Sequence, residues 1–315
     1  MLPRHTTGSA SFLPQKYSTP SPPAPQRDLQ YIWSSLVAGV GSGVLASIIC
    51  APLDVLRTRL QVWGDLSGQK VGGLYVFQQI FQNEGWKGGF RGLGATLITV
   101  PLFWGLYFPL YDDLKRTFQT PERNPSLVHC GSAILAGAAA DVVCNPMFVV
   151  RTRLQTEALH GSRIPHGIFY TIHSLYKEGG PYVFWRGMTA SLMGLSHVAV
   201  QFPLYELLKK QARLRSKSDQ ENTPLEILVS SGLSKMCASL LTYPHEVVRS
   251  RMMDARTSQT LTGTLHRIYA HEGVWGFYSG LHISLLRVVP NCCITFLTYE
   301  LLLRWTKEQV AKNRK

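Results

Sequence analysis

The sequence predicts an all-α membrane protein: six transmembrane helices in three tandem two-helix repeats, set around a pseudo-threefold axis. Three observations lead there. The octapeptide Pro52-Leu53-Asp54-Val55-Leu56-Arg57-Thr58-Arg59 returns as Pro146-Met147-Phe148-Val149-Val150-Arg151-Thr152-Arg153, 94 residues on, and as Pro244-His245-Glu246-Val247-Val248-Arg249-Ser250-Arg251 after a further 98. Two more elements recur in the same order, both at 94 residues: Glu84-Gly85, Glu178-Gly179 and Glu272-Gly273, then Tyr111-Asp112, Tyr205-Glu206 and Tyr299-Glu300. A fixed order at one period marks a triplicated unit, and three like units close into a ring with a middle. The third observation is hydropathy. Leu36 to Leu53, Leu93 to Tyr111 and Met188 to Tyr205 contain no charged residue, and apolar blocks of about 18 residues are long enough to span a bilayer.

The chain begins with a Pro/Ser-rich leader over residues 1–29, which carries Arg4, Lys16 and Arg27 and no acid before Asp28. That composition suits a disordered leader or a mitochondrial address, and it lacks the apolar core of a secretory signal. The repeats occupy 30–120, 126–212 and 222–308, and a basic tail covers 309–315. Each repeat runs through an apolar helix, the Pro motif, a polar stretch, a short amphipathic helix, Glu-Gly, an aromatic-basic-Gly element and a second apolar helix. The aromatic-basic-Gly element reads Phe90-Arg91-Gly92, Trp185-Arg186-Gly187 and Tyr278-Ser279-Gly280, with serine replacing arginine in the last copy.

Only 16% of residues are charged, against roughly a quarter in soluble proteins. The apolar blocks are rich in Gly, Ser and Thr, the composition of helices packed around something polar. A net charge of +13 admits nucleic acid, anionic lipid or an anionic solute. The basic residues form no stripe interleaved with aromatics, so nucleic acid is not an expected partner; lipid attraction and an anionic solute remain. Cys50, Cys130, Cys144, Cys237, Cys292 and Cys293 lack metal-ligand spacing and read as small packed side chains, so no metal or other cofactor is implied.

Proline inside a helix removes a hydrogen bond and bends it. Pro52, Pro146 and Pro244 therefore place a kink at one depth in the three odd-numbered spans. The acid two residues after the proline and the base five after it lie nearly one turn apart on one face. Three helices so equipped close a ring of inter-helix ion pairs. Asp54 and Glu246 supply the acids and Arg57, Arg151 and Arg249 the bases, while Phe148 stands where the third acid belongs. A second charge layer sits at the far ends of the even spans: Asp112 with Lys115, Glu206 with Lys209, and Glu300, whose base is replaced by Leu303. Snorkelling of interfacial charges is the plainer account, but acids and bases in register across three copies exceed what anchoring requires. Two layers that cannot close together form an alternating gate.

Steps back along the even spans from these acids stay near one helix face. They reach Tyr107, Gln201 and Thr295, then Phe103, His197 and Asn291, then Thr99, Met193 (with Gly194 beside it) and Arg287. Polar members interrupting apolar helices are the pattern of a cavity lining; a helix-packing hydrogen bond is the alternative for any one of them. Two ionisable residues break the threefold pattern. Lys235 stands where the other repeats have Gly43 and Gly137, and Asp141 where they have Ser47 and Ser239. Charge at membrane depth marks a functional site, and asymmetric charge in a symmetric scaffold suits an asymmetric ligand. Lys235 and Arg287 against Asp141 make the cavity lean positive, toward phosphate or carboxylate. A structural Lys235–Asp141 pair is the competing account. An aromatic such as Trp104 or Tyr107 stacks on a flat ring or packs between helices. The candidate substrate-binding set is Thr99, Trp104, Tyr107, Gly194, His197, Gln201, Lys235, Arg287 and Asn291.

The motif Pro-x-acid-x-x-base-x-base, followed by the acidic-Gly, aromatic-basic-Gly and Tyr-acid-x-x-base elements, resembles the mitochondrial carrier family over roughly residues 31–306. The resemblance implies three short helices on the matrix side, multi-pass placement in the mitochondrial inner membrane, and solute exchange by alternating access. It names the two charge layers. The matrix gate comprises Asp54, Arg57, Arg151, Glu246 and Arg249, braced by Gln61 and Gln155 nine residues after their prolines, where the third repeat has Met253. The cytoplasmic gate comprises Asp112, Lys115, Glu206, Lys209 and Glu300. By the resemblance Arg151 pairs with Glu246 and Arg249 with Asp54, which leaves Arg57 facing Phe148 and the matrix gate weaker than a three-pair ring.

The stretches Phe103 to Phe108 and Arg287 to Phe296 resemble the folate/FAD carriers, and Ser196 to Glu206 and Thr242 to Arg249 the NAD carriers. Pyrimidine nucleotide carriers share the element Tyr243-Pro244-His245-Glu246-Val247-Val248-Arg249. The expected solute is an anionic, nucleotide-like cofactor, NAD, FAD or folate, exchanged against other nucleotides. A pyrimidine nucleotide carrier and a non-transporting receptor or scaffold on the carrier fold are the alternatives. The other expected partner is membrane lipid, cardiolipin included, and the expected state is a monomer, since a ring closed within one chain needs no second chain.

A soluble dinucleotide enzyme is the rival from another class. Gly39-Val40-Gly41-Ser42-Gly43-Val44 comes near the G-x-G-x-x-G fingerprint, but Val44 holds the third glycine's place and no strand–helix alternation follows. Paired carboxylates, a nucleophile elbow and a metal cluster do not appear, so no enzymatic activity is expected.

Overall fold

The computed structural model describes residues 29–67, 71–120, 125–161, 166–215, 224–256 and 259–313. The expected leader up to residue 28 and the end of the basic tail lie outside them. Among the described residues the chain is helical, with no strand. In the first repeat α1 covers Leu29–Ser67, α2 Gly73–Glu84 and α3 Leu93–Phe118. The second has α4 over Pro125–Thr156, α5 over Ile168–Gly179, α6 over Met188–Gly194 and α7 over Ser196–Arg215. In the third, α8 covers Pro224–Asp254, α9 Leu261–Glu272 and α10 Leu281–Asn313.

Four of the described stretches, Ala38–Leu66, Trp86–Phe118, Leu127–His160 and Val274–Thr306, are long and apolar enough to cross a membrane. Val40, Ile49, Val143, Leu241, Phe296 and Leu297 stay exposed, an apolar surface suited to lipid. The second even span is not one continuous helix. It breaks at Leu195, whose N–H is shared between the carbonyls of Leu192 and Met193. A Cβ on the neighbouring Gly194 would sit 2.5 Å from the His245 imidazole, so the chain tightens where α8 comes close.

Glycine sets the starts of the even helices. Gly92, Gly187 and Gly280 have φ of 74°, 78° and 79°, a region that penalises any residue with a Cβ. A Cβ there would also press on the carbonyl oxygen of Arg151, Arg249 and Arg57 respectively, each at 3.2 Å. Each even helix therefore starts against the Pro motif of the following repeat, and the third leads back to the first.

The prolines lie inside α1, α4 and α8. Pro146 has no N–H for the carbonyl of Val142, and the indole Nε1 of Trp185 donates to that oxygen instead, at 3.3 Å; the freed acceptor is satisfied by a side chain. The preceding Asn145 is fully buried and donates to the carbonyls of Phe184 at 2.7 Å and Arg186 at 3.3 Å. Tyr243, in the same place before Pro244, donates to the Ser279 carbonyl at 3.1 Å.

Three apolar clusters repeat the order. Val55, Leu56 and Leu60 pack with Val76 and Ile80 of α2 and Ile283 of α10. Val149, Val150 and Leu154 pack with Leu175 of α5 and Ala95 of α3. Val247, Val248 and Met252 pack with Ile268 of α9 and Ala190 of α6. Each cluster thus borrows from the repeat before it, and α1 runs along α10 to close the ring. Truncating a fully buried member such as Ile268 to alanine costs roughly 2–5 kcal/mol.

Candidate functional site

The first arginine of each Pro motif reaches toward the repeat before it. Arg57 pairs with Glu246, and Arg151 with Asp54 at 3.4 Å. Arg249 meets Phe148, its guanidinium 4.6 Å from the ring centroid, and reaches Asp141 at 3.6 Å. This corrects the expected pairing. Arg151 does not meet Glu246, Arg249 does not meet Asp54, and the cation left facing Phe148 is Arg249 instead of Arg57. An acid and a base three residues apart on one helix look toward opposite neighbours in a ring. Which neighbour each finds depends on the sense in which the repeats succeed one another. The alternative Lys235–Asp141 pair is not formed either, since Asp141 goes to Arg249. Asp54, with its side chain 9% exposed, also takes a second guanidinium, Arg287 at 3.1 Å.

The position nine residues after each proline accepts a hydroxyl from the preceding repeat. Thr58 donates to Gln155 Oε1 at 2.8 Å, Ser250 to Gln61 Oε1 at 2.6 Å, and Thr152 to Met253 Sδ at 3.7 Å. Gln61 Nε2 donates in turn to the Tyr243 hydroxyl at 3.0 Å. Met253 occupies the brace position with a weak acceptor.

The second arginine of each motif was not among the expected site residues, yet it joins the repeats as firmly as the first. Arg59, Arg153 and Arg251 pair with Glu84, Glu178 and Glu272 of their own repeats. The Nε of each then donates to a carbonyl of the next repeat: Gln155 at 2.9 Å, Met253 at 3.1 Å and Gln61 at 2.8 Å. Arg251 and Glu272 are only 1% and 2% exposed. The signal was legible, because the second base and the Glu-Gly element recur together and a buried base requires a buried acid. Arg91 and Arg186 add to Glu84 and Glu178, a contact Ser279 cannot make.

Beside this ring a cavity of about 350 Å³ is lined by Arg57, Gly194, His197, Lys235, Ser239, Thr242, Glu246, Arg287 and Asn291, with others. Five expected substrate-binding residues meet there: Gly194, His197, Lys235, Arg287 and Asn291. His197 Nδ1 lies 3.0 Å from the Thr242 hydroxyl. Three cations, Arg57, Lys235 and Arg287, face one acid on the lining, Glu246, so the wall favours an anion.

Thr99, Trp104, Tyr107 and Gln201 are not among these lining residues. Thr99 is fully buried and donates to the Ala95 carbonyl at 2.6 Å, the helix-packing alternative. Tyr107 is the middle of a ladder on α3: Phe103, Tyr107 and Tyr111 lie 6.1 and 6.0 Å apart with planes inclined by 13° and 8°. Phe148 adjoins its foot, 6.0 Å from Phe103. Trp104 is 47% exposed and stacks on Phe108 at 5.3 Å. Gln201 is half-buried on α7.

In the opposite charge layer Asp112 is exposed and Lys115 half-buried, and Glu300 pairs with Arg304 one turn along α10. The side chains of Glu206 and Lys209 lie outside the described residues. Among the described residues no ion pair joins two repeats in this layer, whereas Arg57–Glu246 and Arg151–Asp54 do so in the other.

A family model described as Mitochondrial carrier protein matches residues 29–122, 122–215 and 220–310, one match per repeat. The chain is 34% identical over 301 residues to "Nicotinamide adenine dinucleotide transporter 2, mitochondrial" of Arabidopsis thaliana, covering 90% of this chain and 82% of the relative. It is 33% identical over 280 residues to "Mitochondrial nicotinamide adenine dinucleotide transporter 1" of Saccharomyces cerevisiae, covering 84% and 74%. To "Solute carrier family 25 member 36" of Mus musculus it is 31% identical over 296 residues, covering 85% and 95%. With three family matches on three interlocked repeats, the chain belongs to the mitochondrial carrier family and is a multi-pass transporter of the mitochondrial inner membrane, not an enzyme.

Proposed function

We propose that this carrier exchanges anionic nucleotide cofactors by alternating access, with NAD the foremost solute and FAD and folate its chemical neighbours. The observation that carries the reading is the cationic cavity next to the gate. Lys235 belongs to no ion pair among the described residues, so its ammonium is free for a phosphate. Arg287 adds a planar fork suited to phosphate oxygens, and His197 and Asn291 offer hydrogen bonds to a sugar or base. The ladder of Phe103, Tyr107 and Tyr111 gives a flat ring a surface to lie against. Relatives named as NAD transporters, aligned over most of the chain, support the same choice.

In this reading Asp54, Arg57, Arg151, Glu246 and Arg249 are the matrix gate, braced at Gln61 and Gln155. Asp112, Lys115, Glu206, Lys209 and Glu300 are the cytoplasmic gate. A phosphate that draws Arg287 from Asp54 breaks an ion pair that ties α10 to α1 beside the gate, which links solute arrival to gate opening. The carrier works as a monomer, because the ring closes between α1 and α10 of one chain. The surrounding lipid includes anionic cardiolipin, which a chain of net charge +13 attracts.

The test is uptake into liposomes holding purified protein, with NAD, FAD, folate, AMP and CTP each offered inside and outside. Saturable counter-exchange of NAD, alone or with FAD or folate, is the expected result. Exchange of CTP alone would replace the reading with a pyrimidine nucleotide carrier. Folded protein that moves none of them would replace it with a carrier fold that has stopped carrying.

A further inference from the structure

We infer that Asp141 is the third acid of the matrix gate, displaced along α4 so that it holds Arg249 at the level of the solute cavity. The inference rests on the gate reading above. Arg249 has lost the acid its motif calls for, because Phe148 occupies that place. Asp141 lies seven residues earlier on α4, which is two turns along one face and about 10 Å nearer the helix start. The start is the cavity side: Ser239, at the same place in the third repeat, lines the cavity.

Each partner needs the other. Asp141 is only 6% exposed, and a carboxylate so placed is costly unless a cation faces it. Arg249 is the cation that does, at 3.6 Å, with its guanidinium resting over the Phe148 ring. The aromatic that removed the normal bridge thus becomes the shelf on which the displaced one is built. At 3.6 Å the pair is ionic without a hydrogen bond, and Arg249 Nη2 has no hydrogen-bond partner among the described residues. That leaves the guanidinium able to donate to a phosphate oxygen in place of Asp141. Two bridges of the ring, Arg57–Glu246 and Arg151–Asp54, sit at the motif positions; the third sits at solute height and opens by direct competition.

A double-mutant cycle over Asp141→Asn and Phe148→Asp tests this. The readouts are the unfolding midpoint in detergent without solute, and one-way efflux of NAD from loaded liposomes. Asp141→Asn is expected to lower the midpoint and raise efflux without counter-solute by about tenfold, and Asp141→Glu, which keeps the charge, to change both by less. Phe148→Asp gives no gain in the wild-type background, where Arg249 is already paired and the contact with Phe103 is lost. In the Asp141→Asn background the same change raises the midpoint and suppresses the leak, because it returns an acid to Arg249. Equal effects of Phe148→Asp in both backgrounds, or a midpoint unmoved by Asp141→Asn, would overturn the inference. The midpoint needs no solute, so wild-type protein that exchanged no nucleotide would count against the functional reading and leave this one to be judged by the cycle.

Discussion

Met253 stands where the first two repeats carry Gln61 and Gln155, and the Thr152 hydroxyl still points at it as at a glutamine. Thr152 directs its hydroxyl at the sulfur from 3.7 Å, where the other two braces accept at 2.8 and 2.6 Å. Gln61 also donates to Tyr243, the residue before Pro244. By the repeat, the residue that answers to Tyr243 for Met253 is Asn145, before Pro146. Its Nδ2 is committed to Phe184 and Arg186, while its Oδ1 is buried without a partner among the described residues. By that analogy Met253→Gln is expected to supply an acceptor for Thr152 and a donor for Asn145.

The hydrogen bond from Thr152 contributes about 1 kcal/mol, and pairing the orphaned Asn145 acceptor adds about 1–3 kcal/mol. Against this stands the thioether, 2% exposed in the cluster of Val149 and Leu154, whose burial is worth about 1.5–3 kcal/mol. The balance is a gain of about 1 kcal/mol, or about 2–4 °C in unfolding midpoint. Unfolding in detergent is followed by the reaction of the buried thiols of Cys50 and Cys144 with a dye. The gain should vanish in an Asn145→Ala background, and Met253→Leu, with neither donor nor acceptor, should show none. A midpoint for Met253→Gln at or below wild type would refute the reasoning, since it would mean that an amide here finds no partners.

Arg251→Ala strands the buried Glu272 and is expected to cost about 3–5 kcal/mol, whereas Arg251→Met combined with Glu272→Met recovers most of it because no orphan charge remains; equal midpoints for the single and double variants would contradict that asymmetry. Gly64→Ala should lower the midpoint too, because a Cβ there collides with the Glu272 carboxylate, and an unchanged midpoint would show that α1 and Glu272 separate freely. Lys235→Ala and Arg287→Ala should each abolish nucleotide uptake by folded protein. Normal uptake by both would remove the cavity from the transport route.

Much of this is legible in the sequence. The period placed Pro52, Pro146 and Pro244, the two charge layers and the unpaired character of Phe148, because each follows from local helical geometry repeated three times. Lys235, His197, Arg287 and Asn291 stood out as polar interruptions of apolar spans, and they meet on one cavity wall. Thr99 belonged to the same pattern and is spent on its own helix; spacing places a side chain on a face without saying how deep in the packing that face lies. The second arginines are legible only in half: the recurring Glu-Gly element announces their acid, but no residue identity announces the carbonyl of the next repeat that each also binds.

The sequence by itself determined that there are three units, that each is two spans with a bent helix and a short one, and that one acid is missing from the ring. Only the tertiary structure decided which arginine lacks it. An acid and a base on one bent helix face opposite neighbours, and the order of those neighbours is a property of the closed ring, set by how the start of α3, α6 and α10 packs on the next repeat's Pro motif. That packing puts Arg249 over Phe148 and within reach of Asp141, a pairing across two helices that neither helix encodes alone.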